Sequence, residues 1–259
     1  MADTTTADFA APPAEEEEHQ LPKMTFLEHL EELRKRLIVS IVALGVGFLV
    51  CWNFADRIFA WLQYPLAKFL PPGDKLVFTR LTEPFLLYMK VAFFAGIFVA
   101  SPIIMWQLWL FISPGLYKRE RRYAVPFIII ASLFFIAGGY FGYRVLLPGT
   151  CKFFLETGKQ FKQMIKVDEF FSFASTIILA TGLVFETPIL IFFLARLGIV
   201  TPAFLMQKAK YAVVLAFIIS AIVTPTPDMI TQTALALPMI GLYFLGIAIA
   251  YLFGKKVTT

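Results

Sequence analysis

Long apolar runs separated by short polar segments dominate the chain. A helix needs about 20 apolar residues to cross a bilayer core of about 30 Å. The candidate spans are residues 37–55, 85–110, 124–147, 171–195, 210–223 and 232–253. We therefore predict an all-α, polytopic membrane protein whose six transmembrane helices lie within residues 24–253.

The fifth and sixth predicted spans are joined by a segment that breaks helices. Residues 210–223 would cover only about 21 Å as a helix. The residues that follow are Thr224-Pro225-Thr226-Pro227-Asp228. Two prolines in three positions favour a tight turn. We predict that the last two helices are short and form a hairpin that does not cross the full bilayer.

The segment before the first span is amphipathic. Thr25 and Glu28 have the spacing of a capping box, which favours a helix start. Leucines recur near helical spacing, at positions 27, 30, 33 and 37. We predict a surface helix over residues 24–36 that runs directly into the first span. Residues 1–23 are acidic and rich in Pro and Ala, which predicts a disordered tail rather than a signal peptide, and residues 254–259 form a C-terminal tail.

Composition and charge narrow the class of protein further. Apolar residues make up 59% of the chain, charged residues 16%, and the mean hydropathy is +0.75. A soluble domain is about 45–50% apolar and about 25% charged, so most cytosolic enzymes and nucleic-acid-binding modules are excluded. The net charge is +5, but the basic residues cluster at the ends of apolar runs. This distribution places both termini in the cytoplasm.

Two further segments and the cysteines carry less information. Residues 56–84 are rich in aromatic side chains, so we predict that they lie at the membrane interface or pack over the helix ends. Residues 148–170 are rich in charge and predict a solvated loop without chemistry. Cys51 and Cys151 fit no metal-ligand spacing. They are expected to be small apolar residues, and a bridge between them stays an open alternative.

The sequence contains no motif for enzymatic chemistry. There is no phosphate-binding loop, no Gly-x-Ser-x-Gly and no His-Glu-x-x-His. The two histidines, His19 and His29, both lie near the N-terminus, so a histidine-based metal site is not expected. We predict no cofactor and no catalysis. Any work must draw on a partner or on an ion gradient.

Glu186 is the ionisable residue that most needs an explanation. It lies within the fourth apolar run, two residues before Pro188. A charged carboxylate at the bilayer centre costs about 2.5–3.5 kcal/mol. One interpretation is a group that responds to protons or substrate and faces a polar cavity. The other is a neutral, hydrogen-bonded carboxyl that fixes helix packing.

Other polar residues also have two interpretations. Glu28, Glu31 and Glu32 form the solvated face of a surface helix, and Glu120 offsets its basic neighbours; together these acids could instead receive a basic peptide. Near the hairpin, Asp228 is a candidate helix cap. Thr224 and Gln232 alternatively form a polar contact patch for another membrane helix.

Several motifs together resemble one family. They are Leu27-Glu-His-Leu-Glu-Glu-Leu-Arg-Lys-Arg-Leu, Tyr64-Pro-Leu, the segment from Ser101-Pro-Ile-Ile-Met-Trp to Pro114-Gly-Leu-Tyr-Lys-Arg-Glu-Arg-Arg, Phe185-Glu-Thr-Pro, and Thr224-Pro-Thr-Pro-Asp-Met-Ile-Thr-Gln-Thr. Their order and content resemble the TatC family, the polytopic subunit of the twin-arginine protein translocase. The resemblance spans roughly residues 24–253.

The resemblance implies a fold and a function. It implies a cup-shaped bundle in the bacterial cytoplasmic membrane that forms higher oligomers. It also implies a receptor for the twin-arginine signal peptides of folded proteins, with single-span partners of the TatA and TatB type and export driven by the proton gradient. When the family's site residues are assigned to the matching motif positions, the resemblance implies that Glu32 and Glu120 contact the arginine pair. It places Arg34, Arg36, Phe111 and Lys118 nearby. Pro65, Glu186 and Asp228 serve transport, and Gln232 serves partner contact.

Two exposed ion pairs cannot hold a cargo, because each contributes only about 0–1 kcal/mol. We therefore expect the apolar stretch of the signal peptide to insert along the concave helical wall and supply most of the affinity. Two alternative functions remain from the residues alone. One is a proton-coupled small-molecule transporter that uses Glu186, although no inverted repeat is evident. The other is a membrane assembly scaffold without transport chemistry.

Overall fold

A computed structural model of the chain describes residues 26–71, 74–112, 124–224 and 228–253. The helices are α1 Phe26–Trp52, α2 Ala55–Ala67, α3 Glu83–Ile112, α4 Ala124–Phe141, α5 Leu147–Thr157, α6 Val167–Phe185, α7 Thr187–Arg196, α8 Pro202–Val223 and α9 Met229–Phe253. Within these ranges the helices are joined by turns and loops, and the only β-structure is one isolated β-bridge, so the all-α prediction is confirmed. The predicted tails at residues 1–23 and 254–259 lie outside the described residues.

Six helical segments are long and apolar enough to cross a membrane, as predicted. They are Leu27–Trp52, Glu83–Phe111, Ile128–Thr157, Val167–Arg196, Pro202–Val223 and Met229–Leu252. The third combines α4 and α5 through a π-helical turn at Gly142–Leu146. The fourth combines α6 and α7, which are separated at Glu186. Two of the six spans are therefore interrupted helices.

The first helix differs from the expected surface helix. The amphipathic segment and the first span form one uninterrupted helix, α1. Sharp bends in helices need a proline, a glycine pair or an inserted residue, and the first glycine of α1 is Gly45. The glutamate-rich turns therefore continue the axis of the membrane-spanning part.

The fifth span is longer than predicted. It begins at Pro202 rather than at residue 210, because the Thr201 side chain accepts a hydrogen bond from the Phe204 N–H (3.2 Å) and Pro202 suits the first helical turn. Its 22 residues and the 24 of the sixth span are still the lowest values among the six. The hairpin helices are thus the shortest spans, although neither is too short to cross.

Part of the expected solvated loop is helical. Residues 147–157 form α5, in which Leu147, Thr150 and Cys151 are buried. Its charged residues face outward and hid this pattern in the sequence. Cys51 and Cys151 are both buried and free, so the bridge that the sequence left open is not formed.

Helix α2 covers one end of the bundle, called here the α2 end. Phe59, Leu62 and Leu66 are buried on its inner face, which confirms that this aromatic segment packs over helix ends. The Tyr143 hydroxyl donates a hydrogen bond to the Trp61 carbonyl (2.8 Å) and ties α2 to the π-helical turn. At the same end, the Val77 N–H donates to the Ile165 carbonyl (2.9 Å) and the Val167 N–H donates to the Val77 carbonyl (2.9 Å).

Helix α1 packs mainly against α3. A Cβ added at Gly47 would lie 2.9 Å from the Gly96 carbonyl oxygen, and one added at Gly96 would lie 2.9 Å from the Phe48 nitrogen. The two backbones therefore touch where neither residue has a side chain, as small residues allow in membrane bundles. This contact holds α1, and with it the acidic N-terminal turns, against α3.

Candidate functional site

The first turns of α1 contain a partly shielded ion pair. Arg36 Nη2 lies 3.0 Å from Glu32 Oε1, and the two side chains are 32% and 15% exposed. The second oxygen, Glu32 Oε2, is buried and has no hydrogen-bond partner among the described residues. A buried carboxylate oxygen without a partner is unfavourable, so this atom lacks the hydrogen bond that would compensate for its burial.

The neighbouring pair on the same helix is different. Lys35 Nζ lies 3.1 Å from Glu31 Oε1, but these side chains are 71% and 66% exposed. Glu31 therefore matches the solvated-face interpretation and Glu32 does not. Both pairs and Glu28 line one cavity of about 350 Å³. Three carboxylates and two cations give its lining a formal charge of −1.

An aromatic contact joins this site to the end of α3. The rings of His29 and Phe111 stack with their centroids 4.4 Å apart. Phe111 is thus held one helical turn from Glu32, as a residue near the site should be. His29 was not among the predicted site residues, since a single histidine has no motif that marks it. The only sequence signal for a role of His29 is that it precedes Glu32 by three residues, which places both on one face of a helix.

The remaining predicted residues of this site are distributed differently. Arg34 is exposed, and at about 100° per residue it lies on another side of α1 from Glu32. Glu120 and Lys118 fall outside the described residues. The structure therefore brings Glu32, Arg36 and Phe111 together and leaves Arg34 apart.

Glu186 lies at the break between α6 and α7. Its carbonyl accepts hydrogen bonds from the N–H groups of Ile189 (3.1 Å) and Leu190 (2.9 Å). Pro188 follows and is fully buried; it has no N–H to continue the α6 ladder. The Glu186 side chain is half-buried, and its Oε1 is buried without a hydrogen-bond partner among the described residues. If Glu186 only fixed helix packing, this oxygen would be expected to have a hydrogen-bond partner, and the described residues provide none.

The hairpin residues bond within the chain. The Thr231 N–H donates to Asp228 Oδ2 (2.8 Å), so Asp228 caps α9 as the sequence allowed. Gln232 Nε2 donates to the Phe217 carbonyl (3.0 Å). The hydroxyl of Ser220, which is fully buried, donates to the Gln232 carbonyl (2.6 Å). These bonds lock α8 to α9, and Ser220 is a residue that sequence reasoning missed.

The other hairpin and loop residues are also buried or internally bonded. The Thr224 hydroxyl donates to the Ser220 carbonyl (2.8 Å) within its own helix. Pro65 is buried inside α2 beside Leu66, where it helps to form the face that covers the bundle. Among the described residues, no group of three or more His, Cys, Asp or Glu side chains could hold a metal ion.

Comparisons with known proteins agree with this arrangement. The family model for the Sec-independent protein translocase protein (TatC) matches residues 28–238. The Sec-independent protein translocase protein TatC of Koribacter versatilis is 46% identical over 239 residues, covering 91% of this chain and 88% of that protein. The protein of the same description from Desulforapulum autotrophicum is 41% identical over 235 residues, covering 90% and 87%.

A solved structure has the same fold. It is described as the crystal structure of the twin-arginine translocase receptor TatC. It is 37% identical in sequence, superposes with a TM-score of 0.77, and is matched over 87% of this chain and 99% of its own. These matches favour a protein translocase over the small-molecule transporter and the scaffold. The chain therefore belongs to the TatC family and is a multi-pass membrane subunit of the twin-arginine protein translocase.

Proposed function

We propose that this chain is the receptor that selects twin-arginine signal peptides of folded precursor proteins. The observation that carries the proposal is the partly shielded Glu32, with one oxygen bound to Arg36 and the other without a partner among the described residues. The cavity around it has a net negative lining. Its charge and its free acceptor both suit a cationic, hydrogen-bond-donating ligand.

Arginine fits this acceptor better than lysine does. The guanidinium is planar and offers several donors in a fixed fork, whereas an ammonium is a compact point charge. One signal-peptide arginine would bond to Glu32 Oε2 while Arg36 keeps Oε1. Glu120, outside the described residues, would receive the second arginine, with Lys118 beside it. Arg34 would act from the exposed side of α1.

Charge alone is insufficient for tight binding. Exposed ion pairs contribute about 0–1 kcal/mol each, whereas about 200 Å² of apolar surface removed from water contributes about 5 kcal/mol. An apolar groove of about 730 Å³ lies between α1, α3 and α6, lined by residues that include Ile41, Phe48 and Phe171. It supports the expectation that the apolar stretch of the signal peptide binds along the helices.

The path between the two sites is constrained. Ile41 follows Glu32 by nine residues, which is about 14 Å along α1 and about half a turn around its axis. A peptide that occupies both sites must therefore cross α1 obliquely. Gly45 faces open space within this groove, with nothing within 4 Å of an added Cβ. It marks the position where a crossing peptide would come closest to the backbone of α1.

Partners and energy source complete the proposal. Both termini are cytoplasmic, and the chain assembles with further copies of itself and with TatA- and TatB-type single-span proteins. In its most apolar window α8 has only 11% of its residues buried, against 50% for the span formed by α6 and α7. That exposed helix supports a contact with a partner helix, and Thr224 and Gln232 would contribute to it by holding α8 and α9 together through their internal bonds. Glu186 supports a role in the step driven by the proton gradient, and the chain itself performs no catalysis.

The test is binding of a twin-arginine precursor by Glu32→Gln, with Glu31→Gln as the matched control on the same helix. We expect Glu32→Gln to weaken binding about three- to tenfold, since 1.4 kcal/mol is a factor of ten. Glu31→Gln removes the same charge from the cavity lining but leaves Glu32 Oε2 in place, so we expect it to weaken binding less. Co-purification from membranes, titrated with precursor, measures both.

A twin-lysine precursor separates recognition from folding. The unaltered chain should prefer the arginine form, and Glu32→Gln should lose that preference while binding the lysine form as before. Equal effects of the two glutamate substitutions, or an unchanged preference in Glu32→Gln, would contradict the proposed selection. A precursor with the arginine pair but a polar core should bind weakly. If it bound as tightly as the intact signal, the role given to the apolar groove would be wrong.

A further inference from the structure

A small cavity at the α2 end combines aromatic residues with one arginine. Its volume is about 350 Å³. Its lining comes from α2 and from the junction of α4 with the π-helical turn: Ala60, Trp61, Tyr64, Tyr140, Tyr143 and Arg144. Tryptophan and tyrosine concentrate where membrane meets water, so this lining is typical of the depth of the lipid headgroups.

Arg144 has an unusual position for a charged residue. It belongs to the apolar segment Ile128–Thr157 and its side chain is exposed. No described residue forms an ion pair or a hydrogen bond with its side chain. Arginine within a membrane span is costly unless it meets a counter-charge or water. The lining of the cavity contains no carboxylate, so it offers Arg144 no counter-charge and leaves the guanidinium open to an anionic ligand.

The wall behind Arg144 is rigid. Tyr143 is buried, its ring stacks on Trp61 with centroids 3.7 Å apart, and its hydroxyl is bound to the Trp61 carbonyl. The π-helical turn inserts a residue at this level, and such turns often occur at functional sites. The arrangement presents Arg144 toward the surface while Tyr143 anchors the backbone beside it.

Two further groups favour an anion. Lys68 Nζ lies 4.6 Å from the centre of the Tyr64 ring, which places a second cation beside the cavity. The hydroxyls of Tyr64 and Tyr140 form no hydrogen bond with a described residue, so both can donate. Arginine and tyrosine donors suit the oxygens of a phosphate.

An exposed apolar stripe leads away from the cavity along α4. Tyr140, Ile136, Leu133 and Ile129 are all exposed and follow helical spacing. From Ile129 to Tyr140 the stripe measures about 17 Å at 1.5 Å per residue. This is close to the half-thickness of a bilayer core, about 15 Å. An acyl chain attached to a phosphate at Arg144 would therefore lie along the stripe.

We propose that Arg144, with Tyr64 and Tyr140, binds the phosphate of an anionic phospholipid in the leaflet at the α2 end. The shared chemistry is a phosphate ester, and the lipid is the chosen source because the apolar stripe accommodates its acyl chain. A membrane helix is about 10–12 Å wide and does not enter a cavity of this size. The two cations favour a net negative headgroup over a zwitterionic one.

Trp61 provides a readout inside the cavity. The full chain in detergent is titrated with phosphatidylglycerol whose acyl chains are brominated, and quenching of tryptophan fluorescence is recorded. The difference between the unaltered chain and Trp61→Phe isolates the signal of this site. A second titration uses brominated phosphatidylcholine with the same acyl chains. A third adds soluble glycerol 3-phosphate as a competitor of the phosphatidylglycerol.

Arg144→Gln should weaken phosphatidylglycerol binding about tenfold, because a hydrogen-bonded charge pair is lost. Arg80→Gln, which removes an exposed arginine outside the lining, should leave it unchanged, and Arg144→Lys should retain part of it. Thermal unfolding checks that each variant is folded. Equal binding by Arg144→Gln, or equal quenching by phosphatidylcholine, would overturn the proposal. Displacement by glycerol 3-phosphate at the lipid's own concentration would also overturn it, since a free anion would then suffice.

Discussion

The contact between Gly47 and Gly96 makes a quantitative prediction about how α1 is held. In Gly47→Ala the new methyl group would lie 2.9 Å from the Gly96 carbonyl oxygen and 3.3 Å from its Cα. Both are backbone atoms, so no side chain can rotate away and the two helices must separate. Gly45, two residues earlier, has nothing within 4 Å of an added Cβ. Gly45→Ala is therefore a matched control on the same helix.

The two substitutions should have different effects on the free energy of unfolding. Overpacking a well-packed contact typically costs about 1–3 kcal/mol, and alanine regains about 1 kcal/mol over glycine through helix propensity. We expect Gly47→Ala to lose up to about 2 kcal/mol of unfolding free energy, which is the overpacking cost less the propensity gain. Gly45→Ala should be neutral or gain up to about 1 kcal/mol, because only the propensity effect remains.

Thermal unfolding in detergent measures the difference. Cys51 is buried on α1 and free, so its reaction with a thiol-reactive dye during heating reports separation of α1 from α3, and circular dichroism reports loss of helix. Cys151→Ala removes the second buried thiol from the signal. If the midpoints of the two alanine variants coincided, the close backbone contact would be refuted.

Three further outcomes test other parts of the molecule. Ser220→Ala should destabilise the hairpin by about 0.6 kcal/mol, a usual value for a hydrogen bond between membrane helices. Ser175→Ala is the control, because that hydroxyl is exposed and bonded within its own helix, and it should not shift the unfolding midpoint. Glu186→Gln should keep precursor binding and lower gradient-driven export; full export in vesicles would exclude a role for its charge. A cysteine-reactive crosslinker on a precursor's apolar stretch should capture Gly45→Cys but not Gly149→Cys. An added Cβ at Gly149 also has nothing within 4 Å, but this residue lies on α5, away from the groove. Equal capture of the two variants would argue against peptide binding in the groove.

Much of the local structure followed from short sequence signals. The six spans were predictable because hydrophobic length is a property of each segment alone. The predicted helix boundaries were wrong where two local sequence signals disagreed. Thr201 with Pro202 started α8 earlier than the apolar run did, and the charged residues of α5 masked its buried side. The continuity of α1 was the opposite case, since an amphipathic pattern does not reveal whether its axis lies in the membrane surface or crosses it.

The candidate site was only partly predictable. Glu31 and Glu32 are adjacent and chemically identical in the sequence, yet they are 66% and 15% exposed. The difference arises because α1 turns Glu32 and Arg36 toward the end of α3, where His29 meets Phe111. Likewise, nothing in the sequence near Gln232 indicates that its amide bonds to Phe217, fifteen residues away on another helix.

The sequence by itself determined that this is a six-span membrane protein with its breaks at prolines and polar turns, because apolar length, proline geometry and charge clusters act over a few residues. The tertiary structure decided which carboxylate is shielded, which hydroxyl joins α8 to α9, and that Arg144 lies beside Trp61. Helices such as α3 and α4 are apolar on every side, so their sequences do not indicate which face meets which neighbour. Those faces are chosen by packing between distant segments, which no local pattern records.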